Sequence, residues 1–248
     1  MDWKTLSTKI LNSVYNRLFL TQCYLCDTKS KHPLCQHCRK GFTKNTFSCY
    51  HCKHPTDTQN ILCGQCQISL PAYQNCIAPY RFEGIVKILI HSIKFNQSSH
   101  HIRPLTYLLG EELIKEYSSK PWPEQILYVP SHPSRIKERG FCQTQIMTKQ
   151  LIKYLQTYTT EKHIKITHPN PIKKIKDTQA QHLLNKKERL KNPKNNYLVD
   201  QSIAKHVALF DDVMTTGSTI ENCTKLLLNS GAEQVDIWVI ARTPDKEH

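Results

Sequence analysis

The sequence predicts an α/β chain: a parallel sheet flanked by helices, preceded by a small cysteine-rich, metal-binding module. Three observations predict it. Eight of the 11 cysteines fall into four Cys-x-x-Cys pairs, all before Cys76 in a chain of 248 residues. From Cys76 onward, short apolar strands alternate with amphipathic helices. One of those strands runs into two aspartates and a Thr/Gly/Ser turn that opens a helix, and ligands bind at that end of such sheets. The expected division is 1–75 for an N-terminal helix and a double metal ribbon, and 76–248 for the α/β domain.

Met1 to Leu20 is interrupted by Asp2, Lys4, Lys9 and Arg17 and has no small-residue cleavage site, which argues against a secretory leader. No apolar run approaches the ~20 residues that span a bilayer. A cytoplasmic chain that is not an integral membrane protein is expected, and there disulfides are disfavoured. The pairs are Cys23/Cys26, Cys35/Cys38, Cys49/Cys52 and Cys63/Cys66, separated by 8, 10 and 10 residues. Each pair lets a tight turn aim two thiolates at one ion, and two turns complete a tetrahedral site with Zn–S near ~2.3 Å. Four pairs make two structural zinc sites. The favoured assignment puts Cys23, Cys26, Cys35 and Cys38 on one Zn²⁺ and Cys49, Cys52, Cys63 and Cys66 on the other. An interleaved pairing satisfies the same count. Four thiolates leave no position for His32, His37, His51 or His54, nor for a catalytic water. Cys76, Cys142 and Cys223 read as buried small hydrophobes.

The α/β half follows in order. Residues 76–82 read as extended. Residues 84–94 carry Ile85, Val86, Leu89 and Ile93 at helical spacing, and 103–117 carry Leu105, Leu108, Leu109 and Leu113. Ile126–Val129 is a short strand that stops at Pro130, and 141–156 place Met147, Leu151 and Leu155 on one helical face. His206–Phe210 is a buried strand, Thr219–Asn229 a helix stopped by Gly231, and Val235–Ile240 the last strand.

Val207 to Thr219 carries the chemistry. The strand ends in Asp211 and Asp212, and the loop Thr215-Thr216-Gly217-Ser218-Thr219 opens a helix. Free N–H groups at such a turn form an anion cradle, Gly217 permits close approach of a phosphate, and the hydroxyls add donors. The carboxylates suit the vicinal hydroxyls of a ribose. The plainer reading is a capping box, Ser218-x-x-Glu221, after ordinary turn aspartates. It accounts for the Ser and the Glu but not for two Asp followed by two Thr and a Gly.

This run resembles the 5-phosphoribosyl-1-pyrophosphate (PRPP) motif of type I phosphoribosyltransferases. The chain as a whole resembles the ComF family of competence proteins, which join a zinc module to that fold. The resemblance covers Leu18 to Pro244. It takes in the four cysteine pairs, Tyr80-Arg81-Phe82 through Lys94-Phe95, Val129-Pro130-Ser131-His132-Pro133, and Arg139-Gly140-Phe141-Cys142-Gln143. It continues through Asp177-Thr178-Gln179, Glu188 to Asn192, the PRPP motif and Ala241-Arg242-Thr243-Pro244. It implies that Asp211 and Asp212 hold the ribose hydroxyls and that Thr215, Thr216, Gly217, Ser218 and Thr219 hold the 5-phosphate. It further implies a loop from Ser131 to Arg139 beside pyrophosphate, with Arg135, Lys137 and Arg139 as cations and Mg²⁺ on the pyrophosphate. Residues 173–194 resemble the flap that closes over PRPP. Lys173, Lys174, Lys176, Lys186, Lys187, Arg189 and Lys191 make that flap basic, and Arg189 joins Asp211, Asp212 and Arg139 as the implied catalytic set. Cys142 stands where the family usually has Asn.

The family's role is the import or handling of transforming single-stranded DNA. Its implied partners are a ComF helicase-like protein and the inner-membrane DNA channel, which puts the chain in the cytoplasm and peripherally at that membrane. Charge is consistent with polyanionic partners: 34 Lys and Arg against 20 Asp and Glu give +14. Ten of the basic residues lie between Lys162 and Lys194, and residues 201–248 carry −3. Tyr50, Tyr73, Tyr80, Phe82, Phe95 and Tyr197 are candidates for stacking on bases. Two other function classes remain open on sequence: an active Mg-dependent phosphoribosyltransferase with an unknown acceptor, and a zinc scaffold that recruits a partner.

Overall fold

The cysteine module is two copies of one turn-and-helix unit. In the computed structural model, which describes residues 21–59, 61–95, 98–159, 166–174 and 197–244, the first copy holds β1 (Thr21–Gln22), β2 (Lys29–Ser30) and α1 (Gln36–Lys40). The second copy ends in α2 (Gly64–Ile68). In each copy the first Cys-x-x-Cys is followed by a left-handed residue, Asp27 or Lys53, both at φ 55°. In each, the second Cys-x-x-Cys begins at a helix N-cap, Cys35 or Cys63, with nearly identical dihedrals. The residues expected to form an N-terminal helix, 1–20, lie outside the described residues.

The sheet that follows is parallel throughout. It contains β3 (Asn75–Ile77), β4 (Tyr80–Arg81), β5 (Gln125–Tyr128), β8 (His206–Met214) and β9 (Gln234–Arg242), in the order β3–β9–β8–β5, with β4 also beside β9. The helices are α3 (Gly84–Phe95), α4 (Ile102–Glu116), α5 (Pro133–Arg139), α6 (Gln143–Tyr158) and α7 (Ser218–Asn229). A separate antiparallel ribbon pairs β6 (Ile172–Lys174) with β7 (Tyr197–Val199). The two strands bracket residues 175–196, which lie outside the described residues and contain Arg189 and most of the expected flap.

Three differences from the sequence expectation have local causes. The extended run 76–82 breaks at Ala78-Pro79, because Pro79 has no N–H for the ladder; its carbonyl is taken by the Asn45 N–H at 2.9 Å. The strand at His206 does not end before the aspartates. It stays paired with β9 as far as Met214 opposite Arg242. The expected loop Ser131–Arg139 is mostly helix. His132 Nδ1 accepts the Ser134 N–H at 3.2 Å, Pro133 starts α5, and Gly140 at φ 80° closes it.

Period-two alternation divides the core between the two faces of the sheet. Ala208, Phe210, Trp238 and Ile240 pack with α3, α4 and α6, while Val207, Leu209, Ile237 and Val239 pack with α7 and the β6–β7 ribbon. The cysteine module straddles this division. Cys23 packs into the first core and Cys49, Cys52 and Cys66 into the second. Each cysteine cluster is therefore built onto its own face of one sheet.

Helices α4 and α6 touch at Gly110, where an added Cβ would lie 2.3 Å from Tyr154 Cδ1. Gly110→Ala is expected to cost about 1–3 kcal/mol through overpacking, despite alanine's better helix propensity. Urea unfolding checks this; an unchanged midpoint would show that Tyr154 rotates away freely.

Candidate functional site

The eight paired cysteines form two clusters in sequential order, Cys23/Cys26/Cys35/Cys38 and Cys49/Cys52/Cys63/Cys66, with all sulfurs of each within 4.8 Å of one another. The interleaved alternative is thereby removed. Cys26 and Cys35 Sγ are 3.7 Å apart and Cys52 and Cys63 Sγ are 3.6 Å apart. A tetrahedron with metal–sulfur bonds of ~2.3 Å has an edge of about 3.8 Å, so both clusters fit a zinc ion. Backbone N–H groups already face the sulfurs: Cys35 donates to Cys23 Sγ at 3.4 Å and Cys63 to Cys49 Sγ at 3.3 Å. Burial opposes ionisation of these two thiols, yet the backbone donors hold Cys23 near a pKa of about 6 and Cys49 near about 7. Burial and the neighbouring sulfurs push Cys38 and Cys66 up, a cost that a metal cation would remove. Neither cluster includes a histidine. His51 instead stacks on Tyr73 at 5.2 Å. Cys76, Cys142 and Cys223 are buried, as expected.

The two aspartates lie inside β8, and alternation sends them to different neighbours. Asp212 is buried; its Oδ2 lies 2.7 Å from Lys94 Nζ on α3 and accepts from Gln143 Nε2 on α6 at 2.8 Å. Gln143 Oε1 is buried and has no hydrogen-bond partner among the described residues. Asp211 Oδ1 accepts the Asp212 N–H at 2.9 Å. Desolvation, with the Asp212 charge beside it, raises the Asp211 carboxyl well above its ordinary value. A carboxyl of this kind gains from hydroxyl donors or a cation brought in by a ligand.

After Met214 the chain turns through Thr215, Thr216 and Gly217 into α7. Gly217 sits at φ 82°, a conformation that L side chains rarely adopt, and a Cβ there would also meet Met214 Sδ at 3.3 Å. Thr216 Oγ1 and Ser218 Oγ are 3.1 Å apart, and the Ser218 N–H points to Thr216 Oγ1 at 3.4 Å. The capping box is absent. Gly217 is the N-cap, and Glu221 reaches across to the Ala72 N–H at 3.0 Å and to Lys225 at 2.9 Å.

Two features here were not assigned from sequence. The first is the Lys94–Asp212–Gln143 contact. The second is Arg242, buried at the end of β9, which donates from Nη1 to the Met214 carbonyl at 2.9 Å and from Nε to the Cys52 carbonyl at 3.3 Å. It ties the end of the aspartate strand to the second cysteine cluster. A cavity of about 280 Å³ lies at this junction, lined by Cys66, Thr216, Gly217, Ser218 and Arg242 among others. Lys94 and Arg242 belong to segments that carry the family resemblance, but the sequence alone does not say which distant groups they meet.

The expected cations are placed unevenly. The Arg139 guanidinium lies over the Phe95 ring at 5.8 Å, one residue from Lys94. Arg135 is exposed and 3.5 Å from Glu138, Lys137 is exposed, and neither contacts the aspartates. Lys173 pairs with Asp200, and Lys174 lies over Tyr197 at 5.2 Å. Ser131 Oγ receives the Cys142 thiol at 3.6 Å, so the residue that departs from the family still makes a polar contact here. Of the aromatic candidates, Tyr73, Tyr80 and Tyr197 are buried and are withdrawn as stacking groups, whereas Tyr50 and Phe95 are exposed.

No protein-family model matches the chain. Curated proteins do, over most of their length. Competence protein F of Haemophilus influenzae is 29% identical over 220 residues, 86% of this chain and 92% of that one. DNA utilization protein YhgH of Salmonella typhi is 27% identical over 227 residues, 89% and 96%. Competence protein ComFC of Bacillus subtilis is 24% identical over 244 residues, 89% and 95%. Among solved structures, HGPRT-ase of Leishmania tarentolae in complex with GMP is 14% identical and covers 57% of this chain and 66% of its own, with a TM-score of 0.35. A hypoxanthine phosphoribosyltransferase of Staphylococcus aureus is 16% identical, covering 58% and 74%, with a TM-score of 0.36.

Proposed function

On the premise that the chain is a homologue of these competence and DNA utilization proteins, we propose that it handles single-stranded DNA during uptake and carries a phosphate site that takes PRPP-type ligands. The observation that carries this reading is the Gly217 turn. Its left-handed glycine, its hydroxyls and the N-terminus of α7 converge just beyond two carboxylates and beside the cavity at the second metal cluster. Asp211 and Asp212 would receive ribose hydroxyls, and Thr215 to Thr219 a phosphate. Gln143 Oε1 is a further acceptor for a ligand donor. Lys94 and Arg139 would face negative charge. The two cysteine clusters would each hold a structural Zn²⁺. Mg²⁺ would arrive on pyrophosphate, where it neutralises charge; the carboxylates of Asp211 and Asp212 are the donors that suit it. No described helix is long and apolar enough to cross a membrane.

Calorimetric titration of the zinc-loaded protein with PRPP and Mg²⁺, with and without single-stranded DNA, tests this. Binding of both is expected, with DNA affinity falling as salt rises and preferring single strands to duplex. Salt-independent binding, or tighter binding to duplex, overturns the DNA reading. Pyrophosphate release on adding a nucleobase would favour an active transferase. In that case the site's electrostatics and its exclusion of water would stabilise a ribooxocarbenium-like state.

A further inference from the structure

We propose that Phe82, His91 and Phe95, with Arg139 at one end, form a stacking track for the bases of single-stranded nucleic acid, leading to the rim of the aspartate site. The inference rests on the single-strand reading above and gives it a location.

Helix α3 buries Val86, Leu89, Ile90 and Ile93. The opposite face of such a helix is ordinarily polar. Here it exposes Ile88 at 66% and Phe95 at 64%, with His91 between them. The rings are in sequence: Phe82 to His91 is 5.9 Å between centroids, and His91 to Phe95 is 5.6 Å. Arg139, arriving from α5, caps the Phe95 end at 5.8 Å. His91 and Phe95 are open to solvent, while Phe82 is half-buried against the core and anchors the row. A cation over an aromatic ring beside accessible rings is what stacking on unpaired bases uses, and every base has a face to offer.

Position selects the ligand. Phe95 follows Lys94, whose ammonium is 2.7 Å from Asp212, in the last turn of α3, so the row and the site share that end of the helix. Lys87 on the same helix and Arg135, Lys137 and Arg139 on α5 supply positive charge for phosphates. Two ring-to-ring steps make the row longer than a single nucleobase, which favours a strand over a free base. The other exposed aromatic candidate, Tyr50, lies on the second ribbon beside Lys53 and is not part of this row.

The experiment compares the zinc-loaded protein's affinity for a thymidine oligonucleotide with that for an abasic sugar-phosphate strand of equal length at one salt concentration. About a tenfold preference for the strand with bases is expected per stacked base. Phe95→Ala with His91→Ala is expected to erase that preference while leaving affinity for the abasic strand intact. Both residues are exposed, so the fold should tolerate the change, and unchanged zinc content checks this. Phe95→Tyr should keep the preference and Phe95→Leu lose most of it. A wild-type protein that binds both strands equally, or a double variant that still prefers bases, overturns the track. Thymidine monophosphate competing as well as the strand per nucleotide overturns the strand assignment in favour of a free nucleobase. A wild-type protein that binds neither strand rejects the single-strand reading itself, and the track with it.

Discussion

Replacing Cys66 with serine is expected to cost the protein its phosphate affinity as well as one of two zinc ions. Structural zinc contributes about 10–16 kcal/mol to folding its module, comparable with the whole stability of a domain. The second cluster is not insulated from the site. Arg242 joins the Cys52 carbonyl to the Met214 carbonyl, and Glu221 of α7 holds the Ala72 N–H in the segment that follows the ribbon. A Zn²⁺ with four thiolates carries about −2, which also offsets the buried guanidinium beside it. Without the metal, Arg242 loses both its anchor and its compensating charge, and the turn after Met214 loses a wall. Metal analysis should fall from two ions per chain to one, and PRPP affinity at least tenfold, about 1.4 kcal/mol. The first cluster is the control. It packs on the other face of the sheet, where Arg39 meets Glu111 and Tyr107 of α4. Cys26→Ser should remove one zinc and leave PRPP affinity near wild type. Equal losses from both variants would mean that the coupling is general unfolding and does not pass through Arg242.

Such coupling could not be read from the chain, although most of the fold could. The helices over 84–94, 103–117, 141–156 and 219–229 and the strands at 126 and 235 were legible because each buries a periodic apolar face against the sheet, and period is a local signal. The cysteine spacing likewise announced two four-thiolate sites, and only their pairing needed geometry. What the sequence missed or left open was decided by partners distant in sequence. Ser218-x-x-Glu221 has the letters of a capping box, but Glu221 gains more from an otherwise unpaired amide at Ala72. The strand at His206 continues past both aspartates because β9 is long enough to pair with it as far as Met214. Lys94 reads as one more surface lysine until α3 packs and delivers its ammonium to Asp212. Aromatic residues were the least legible, since Tyr80 and Phe95 look alike in a sequence and one is buried while the other faces solvent.

The two aspartates should separate stability from binding in opposite directions. The Asp211 carboxyl is raised above its unfolded value by desolvation and by the neighbouring Asp212 charge. A group raised in the folded state binds its proton more tightly there, so ionisation weakens the fold. The penalty is absent below the unfolded carboxylate pKa near ~3.9, grows as pH rises toward the folded value, and persists above it. Asp211→Asn removes it, and a gain on the order of 1 kcal/mol at neutral pH is expected, with a higher melting temperature. The gain should shrink as the pH is lowered toward 4. Asp212→Asn should act the other way, because it leaves the Lys94 ammonium without its carboxylate and disturbs the Gln143 amide. Lys94 is partly exposed and can turn to water, which keeps that loss to about 1–2 kcal/mol. Both variants should lose PRPP affinity by about a hundredfold, or ~2.7 kcal/mol. Thermal unfolding over a pH series beside PRPP titration reads the two effects separately. A destabilised Asp211→Asn would falsify the electrostatic account of that carboxyl, and undiminished PRPP binding in both variants would remove ribose from the site. The expected pairing, tighter folding with lost binding at Asp211, is the signature of a charge kept at a cost to the fold for the sake of a ligand.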